Sequence, residues 1–142
     1  MANKNIQVIA NLYSANETGD LEAFYADLSP NITWKESDGF PTPGVFNNKT
    51  EIVDNVFAVL KRDWSHFHFT LEHLINGSEH IVAVGTYRGT HAKTGKSFEA
   101  RASHVWRVEA GKIVQFEQFA DTWLMQSAAK SEGVSAYGSF VL

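Results

Sequence analysis

The sequence predicts an α+β domain in which one curved antiparallel sheet wraps around N-terminal helices. Apolar residues recur every three to four positions in the first 63 residues, and from Trp64 onward they alternate at every second position. The change of period separates a helical half from a run of strands, and a single curled sheet covers its apolar face with helices. We therefore expect a cone with a cavity at its wide end, because the helices cannot fill the whole concave surface.

The first two helices are short and separated by a glycine. Between Ile6 and Tyr13 the apolar residues form one helical face, and Gly19 stops that helix. Asp20 is the expected N-cap of a second helix, whose apolar pattern ends at Leu28 because a serine and a proline follow it.

One strand and a third helix complete the first half. Alternation predicts a strand over Asn31–Ser37, and the Pro- and Gly-rich segment after it is expected to be a loop. Asn48, with Glu51 three residues later, has the form of a capping box and predicts a helix that ends near Asp63.

The second half is predicted to be a meander of long strands joined by tight turns. The expected turns are Asn76-Gly77, Lys93-Thr94-Gly95-Lys96 and Glu109-Ala110-Gly111-Lys112. The strands begin at Trp64 and continue over Ile81–Thr90, Phe98–Val108 and Ile113–Trp123. We assign residues 1–130 to one domain and residues 131–142 to a C-terminal tail.

Composition limits the classes of function. The net charge of −4 argues against nucleic-acid binding, and the lack of cysteine excludes disulfides and thiolate catalysis. No apolar run is long enough to span a bilayer, and the first residues lack the hydrophobic segment of a signal peptide. We expect a soluble, cytoplasmic protein that does not bind membranes.

Short motifs occur throughout residues 5 to 128. They are Thr18-Gly19-Asp20-Leu21-Glu22-Ala23-Phe24, Ile32-Thr33-Trp34-Lys35-Glu36, Pro43-Gly44, Glu51-Ile52-Val53-Asp54-Asn55-Val56-Phe57, Asp63-Trp64, His104-Val105-Trp106-Arg107-Val108, Gly111-Lys112-Ile113 and Phe119-Ala120-Asp121-Thr122. Together with the order of elements, they resemble the SnoaL-like branch of the nuclear transport factor 2-like superfamily, which also includes ketosteroid isomerase and limonene epoxide hydrolase. The resemblance implies a pocket between sheet and helices, and commonly a homodimer formed through the outer face of the sheet.

Asp121 matches the general acid/base aspartate of the SnoaL-type polyketide cyclases, which close a ring by an intramolecular aldol reaction without metal or cofactor. Such a carboxyl needs an apolar pocket, where desolvation raises its pKa toward the working pH. The alternative is that Asp121 and Thr122 cap a short helix that starts near Trp123.

Two further residues are candidates for proton transfer. His104 lies on the more apolar face of its strand, where it is either a core residue or a proton carrier and enolate-stabilising donor beside Asp121. Glu36 falls where the steroid isomerases carry their aspartate base, although it and Asp38 are alternatively solvated residues at the cavity mouth. The other isomerase residues do not carry over, because the helix tyrosine falls on Leu12, so we do not predict steroid isomerisation.

The expected ligand is a small apolar molecule. The residues expected to bind it are Tyr13, Trp34, Phe57, Trp106, Phe116, Gln118 and Phe119. We predict no metal site, because His66, His68 and His73 do not share one face of their strand, and we predict no cofactor. The function is thus a cyclase or isomerase that moves protons with a carboxylate, or alternatively a non-catalytic module that binds a ligand or dimerises.

Overall fold

The computed structural model of the chain describes residues 2–130. Helix α1 (Ala2–Thr18) extends beyond the predicted apolar stretch at both ends. It ends at Gly19 as predicted, where a φ of 74° is a left-handed value that favours glycine. Asp20 then caps α2 (Leu21–Tyr25), because its carboxylate accepts a hydrogen bond from the Ala23 N–H at 3.1 Å.

Strand β1 (Leu28–Glu36) begins three residues earlier than predicted. Ile32, Trp34 and Glu36 are buried while the residues between them are exposed, which confirms the alternation. Strand β2 (Gly44–Phe46) pairs with β1 and lies in the segment that we expected to be a loop. The prediction was wrong there because three residues are too few to show a periodic pattern.

A helical segment connects β2 to the long strands. It consists of α3 (Lys49–Ile52), a π-helical turn (Val53–Phe57) and α4 (Ala58–Asp63). The predicted cap is confirmed, since the side-chain oxygen of Asn48 accepts from the Glu51 N–H at 2.9 Å. Side chains of the π-helical turn line the cavity described below, and π-helical turns occur frequently at functional sites.

Four long strands form most of the sheet. They are β3 (Trp64–Gly77), β4 (His80–His91), β5 (Ser97–Glu109) and β6 (Lys112–Ala120). The predicted antiparallel pairing of these strands is confirmed. The first turn is centred on Ser78, with a φ of 70°, rather than on Asn76 and Gly77. The Asn76 side chain stabilises this shifted turn by accepting from the Ser78 N–H at 3.0 Å.

The six strands form one sheet in the order β2-β1-β6-β5-β4-β3. Every neighbouring pair is antiparallel except β1 and β6, so the predicted antiparallel sheet is confirmed apart from this one parallel pair. After β1 the chain forms β2, the helical segment and β3 to β5, and its last strand, β6, then lies next to β1. Helix α1 packs against β3, β4 and β5, which confirms the α+β class and the sheet wrapped around helices.

The last strand ends three residues earlier than predicted. Asp121 has φ −78° and ψ 83°, and helix α5 (Thr122–Ala129) follows, so the predicted strand to Trp123 is wrong at its end. The predicted tail lies outside the described residues. No helix within residues 2–130 has both the length and the apolar character needed to cross a membrane.

A cavity lined by aromatic rings and buried polar groups

A cavity of about 460 Å³ lies between the concave face of the sheet and the helices. Its volume is within the range of about 300–1,000 Å³ that is typical of small-molecule sites. Strand β1 and strands β3 to β6 supply one wall, and α1, the π-helical turn and α4 supply the other. The lining is mainly aromatic, with a few polar groups at its base.

Glu36 is the one carboxylate at the base of the cavity within the described part of the chain. Glu36 is only 3% exposed to solvent. The indole Nε1–H of Trp34 donates to Oε2 at 2.9 Å, and the hydroxyl of Thr42 donates to Oε1 at 2.9 Å. Each oxygen keeps a second lone pair, so the carboxyl group can still take up or release a proton.

Burial raises the pKa of Glu36 from its ordinary value of 4.5 to about 7. Loss of hydration is the larger effect, and the hydrogen bonds from Trp34 and Thr42 lower the pKa by less. A carboxyl group with a pKa near neutrality is populated in both protonation states at physiological pH. It therefore meets the electrostatic requirement for a group that both accepts and donates a proton.

A second set of buried polar groups lies beside Glu36 and connects three strands to α1. The Tyr13 hydroxyl is 2.5 Å from Nδ1 of His104, and the Tyr87 hydroxyl is 2.7 Å from Nε2 of the same ring. The Trp106 indole donates to the Tyr13 oxygen at 2.8 Å, and the Gln118 amide donates to the Tyr87 oxygen at 2.9 Å. Both imidazole nitrogens are therefore occupied by hydroxyl groups.

The three titratable groups of this network are neutral at physiological pH. Desolvation lowers the pKa of His104 to about 3, so the imidazole is uncharged. Desolvation also raises the pKa of Tyr13 and of Tyr87 well above the ordinary value, and the nearby Glu36 carboxylate raises that of Tyr87 further. Glu36 is thus the group at the cavity base that changes charge near neutral pH.

Aromatic rings form the apolar walls. The Trp34 ring stacks on Phe116 with centroids 4.0 Å apart, and the Phe69 ring lies 4.2 Å from the His104 ring. Phe57, from the π-helical turn, meets Trp34 edge to face. Flat walls of this kind favour planar or apolar ligands.

The exposed residues of the lining mark the cavity mouth, between the ends of α1 and α4 and the start of β3. They are Asn16, Lys61, Ser65 and His66. His68 lies beside them, with its Nε2 3.1 Å from the Glu17 carboxylate. No three histidine, aspartate or glutamate side chains within residues 2–130 are arranged to hold a metal ion.

Comparison with known families identifies the fold family. A family model for the SnoaL-like domain matches residues 9–116, which is most of the chain. The chain belongs to the SnoaL-like family. Its resemblance to this branch of the nuclear transport factor 2-like superfamily is thereby confirmed.

Solved structures of other proteins have the same fold. An NTF2-like protein from Burkholderia thailandensis is 45% identical to this SnoaL-like domain, with 89% of this chain and 97% of that chain covered and a TM-score of 0.87. TerC, co-crystallised with polyporic acid, is 19% identical, with 89% and 98% covered and a TM-score of 0.80.

A third structure is IdmH from Streptomyces antibioticus, described as a proposed polyketide cyclase. It is 22% identical to this SnoaL-like domain, with 86% of this chain and 95% of that chain covered and a TM-score of 0.70. No curated protein sequence matches the chain.

The structure brings most of the predicted site residues of this SnoaL-like domain to one cavity. Those that line it are Tyr13, Trp34, Glu36, Phe57, His104, Trp106, Phe116 and Gln118. The alternative that Glu36 is a solvated residue at the mouth is wrong, since its carboxyl is buried. Asp38, two residues later, is exposed.

Two predicted residues lie elsewhere. Asp121 is exposed, does not line the cavity and occupies the N-cap position of α5, so its predicted placement in an apolar pocket is wrong. Its side chain makes no capping hydrogen bond either. Phe119 is 50% exposed and faces away from the cavity, because adjacent strand residues point to opposite faces and Gln118 points inward.

Sequence reasoning missed Tyr87 and Thr42. Tyr87 lies on the same face of β4 as the buried residues Ile81 and Ala83, so the alternation along β4 indicates that its side chain points inward. Thr42 lies in the loop between β1 and β2, where no periodic pattern indicates which side chains turn inward. Its contact with Glu36 depends on the path of that loop.

Proposed function

We propose that the protein binds a small apolar molecule that carries a carbonyl group and that Glu36 moves a proton on it. The observation that supports this most strongly is a buried carboxyl group with a pKa near 7 in the same cavity as two buried tyrosine hydroxyls. Proton transfer next to a carbonyl requires an acid/base group and hydrogen-bond donors for the oxygen.

The reaction begins when the Glu36 carboxylate takes a proton from the carbon next to the carbonyl. The C–H bond breaks, the carboxyl O–H bond forms, and the electron pair moves onto the carbonyl oxygen as an enolate. Returning the proton to a different carbon gives an isomer. Attack of the enolate carbon on a second carbonyl closes a ring, and Glu36 then gives its proton to the new alkoxide, as an aldol cyclase requires.

The similar structures support this class of ligand. TerC was co-crystallised with polyporic acid, and IdmH is described as a proposed polyketide cyclase. Both share the cone with this chain, and the cavity here has the size and aromatic walls that an apolar ring system needs.

Deuterium exchange tests the proposed chemistry. 2-Tetralone is a flat ketone with acidic hydrogens next to its carbonyl, and NMR in D2O measures how fast those hydrogens are replaced. We expect the wild-type protein to accelerate the exchange, Glu36→Gln to reduce the rate to that of buffer, and Asp38→Asn, a matched exposed control, to keep it. Acceleration that persists in Glu36→Gln would contradict the proposal.

The alternative function is ligand binding without turnover. It is favoured by the hydrogen bonds to both Glu36 oxygens, an arrangement that also stabilises a purely structural buried acid. Saturable binding of 2-tetralone with no acceleration of exchange would support this alternative and exclude the proton transfer.

We also propose that two copies of the chain associate through the outer face of the sheet. Exposed and half-buried apolar side chains lie there on β3 to β6. Ile75, Val82 and Val105 are cross-strand partners on β3, β4 and β5, and Val84 and Phe119 lie on either side of Ser103 in the neighbouring row. A row of this kind across neighbouring strands is typical of an interaction surface. Analytical ultracentrifugation should give a dimer for the wild type and a monomer for Phe119→Glu. A monomeric wild type would contradict this.

A further inference from the structure

We infer that Tyr13, His104 and Tyr87 form a single switchable hydrogen-bond donor, offered to the ligand from either tyrosine, and that the ligand therefore places an acceptor oxygen at the base of the cavity. The ligand class is thus a ketone, quinone or enolate rather than a hydrocarbon or an amine. This inference deepens the proposed function and rests on its ligand binding. It does not require proton transfer by Glu36.

This network contains one more donor hydrogen than it has hydrogen bonds. The two hydroxyls, the one N–H of a neutral imidazole, the Trp106 indole and the Gln118 amide hydrogen that faces Tyr87 supply five hydrogens. Only four hydrogen bonds connect these groups. One hydrogen is therefore left over, and it belongs to a tyrosine hydroxyl because the other donors each have an acceptor.

The tautomer of His104 decides which hydroxyl keeps the spare hydrogen. If Nε2 carries the proton, it donates to Tyr87 while Tyr13 donates to Nδ1, and the Tyr87 hydrogen is spare. If Nδ1 carries the proton, it donates to Tyr13 while Tyr87 donates to Nε2, and the Tyr13 hydrogen is spare. Both arrangements make the same four hydrogen bonds, so a ligand that accepts at one position selects the matching tautomer.

The spare hydrogen has no acceptor in the part of the chain that the structure describes. Within residues 2–130 neither tyrosine oxygen has another hydrogen-bond partner, and both residues line the cavity. Both are also buried, and a buried donor without an acceptor is destabilising. A ligand oxygen at this place completes the network, whereas a ligand without an acceptor leaves the donor unpaired.

His104 is therefore a positioning residue. Both of its nitrogens are occupied by hydroxyls, and its ring is parallel to that of Tyr13 to within 4°. The expectation that His104 itself donates to an enolate oxygen is wrong, because no ring nitrogen is left to reach the ligand. It acts by setting which tyrosine donates.

Nitrogen-15 NMR of histidine-labelled wild-type protein tests the switch without any variant. The two probes are 2-tetralone and tetralin, which share their ring system and differ in the ketone oxygen. We expect 2-tetralone to change the proportion of the two His104 tautomers and tetralin to leave it unchanged. The same response to both probes, or no response to the ketone, would overturn the inference.

Three conservative variants add an independent measurement. Tyr87→Phe and Tyr13→Phe each leave one hydroxyl that can donate to the ketone, so with 2-tetralone bound His104 should carry its proton on Nδ1 in the first variant and on Nε2 in the second. The ratio of 2-tetralone to tetralin affinity should fall about five-fold only in the double variant, a factor that corresponds to one net hydrogen bond of about 1 kcal/mol. An unchanged ratio in the double variant, or the same tautomer in both single variants, contradicts the inference.

Failure of this inference and failure of the proposed function give different results. Exchange of the ketone hydrogens depends on Glu36, whereas the tautomer and the affinity ratio depend on the tyrosines. If the tautomer responds but exchange is absent, the donor is present in a binding protein. If exchange depends on Glu36 but the tautomer of His104 does not respond to the ketone, the proton transfer is supported and the tautomer switch is excluded.

Discussion

The indole of Trp34 donates a hydrogen bond to the carboxylate of Glu36, two residues later on the same strand face. Residues two apart in a strand point to the same side, so β1 alone places an acid and its donor together in the cavity. The same indole stacks on Phe116, which fixes its orientation. The first strand therefore supplies both the proposed acid/base group and the contact that adjusts its pKa.

Removal of this donor should raise the pKa of Glu36. In Trp34→Phe the carboxylate loses one hydrogen bond that favours its charged form, so the pKa should rise above its value of about 7. Carbon-13 NMR of labelled glutamate carboxyls measures the shift. Trp106→Phe is the matched control, because its indole donates to Tyr13 and not to Glu36. A pKa that is unchanged or lower in Trp34→Phe would contradict this account.

Glu36 should make the fold less stable as pH rises. The folded-state pKa is raised from 4.5 to about 7, so the folded state holds this proton more tightly than the unfolded chain does. The contribution of Glu36 to the free energy of unfolding is fully present below pH 4.5. It is lost between pH 4.5 and 7, and the loss is about 3 kcal/mol at about 1.4 kcal/mol per pKa unit.

Glu36→Gln removes this pH dependence, because the amide does not ionise and its N–H can donate to the Thr42 hydroxyl. In urea unfolding at several pH values, the stability of the variant relative to wild type should increase from pH 4.5 to 7 and then stay level. Asp38→Asn, which changes an exposed carboxyl, should show no such trend. A constant difference between Glu36→Gln and wild type would show that Glu36 titrates normally.

Asp121→Asn should not affect ligand binding. The carboxyl lies at the start of α5, outside the cavity, and makes no capping hydrogen bond. We expect the affinity for 2-tetralone to stay within about two-fold of wild type and the melting temperature to change little, as for surface substitutions in general. A large loss of affinity would show that this aspartate takes part in ligand binding.

Gly85→Ala should be strongly destabilising. A Cβ at this position would lie 2.5 Å from the end of the Phe69 ring, which itself packs on His104, and would also collide with the backbone of Thr70. Overpacking of this kind costs about 1–3 kcal/mol. Thermal unfolding should show a clearly lower melting temperature, and a variant as stable as wild type would mean that the ring has room to move.

The sequence predicted the elements better than their pairing. The caps at Asp20 and Asn48 and the alternation of β1 and β5 are local features that neighbouring residues determine. The parallel pairing of β1 with β6 joins segments about 80 residues apart, and no local pattern indicates it.

The site was predictable where the strand period applied. Glu36 and Gln118 lie on the inward faces of regular strands, and both line the cavity. Asp121 was misplaced because the strand ends one residue before it, so the alternation no longer fixes its direction. Thr42 lies in a loop, where the chain path decides the contact.

The pKa of Glu36 in the wild-type protein decides whether this carboxyl group can transfer protons near neutral pH. Carbon-13 carboxyl titration, with the resonance assigned by its absence in Glu36→Gln, should give a midpoint of about 7. Binding of 2-tetralone should perturb that resonance, because ligand and carboxyl share the cavity. A midpoint near the ordinary value of 4.5, with no response to the ketone, would contradict the account of Glu36 as the proton-transfer group.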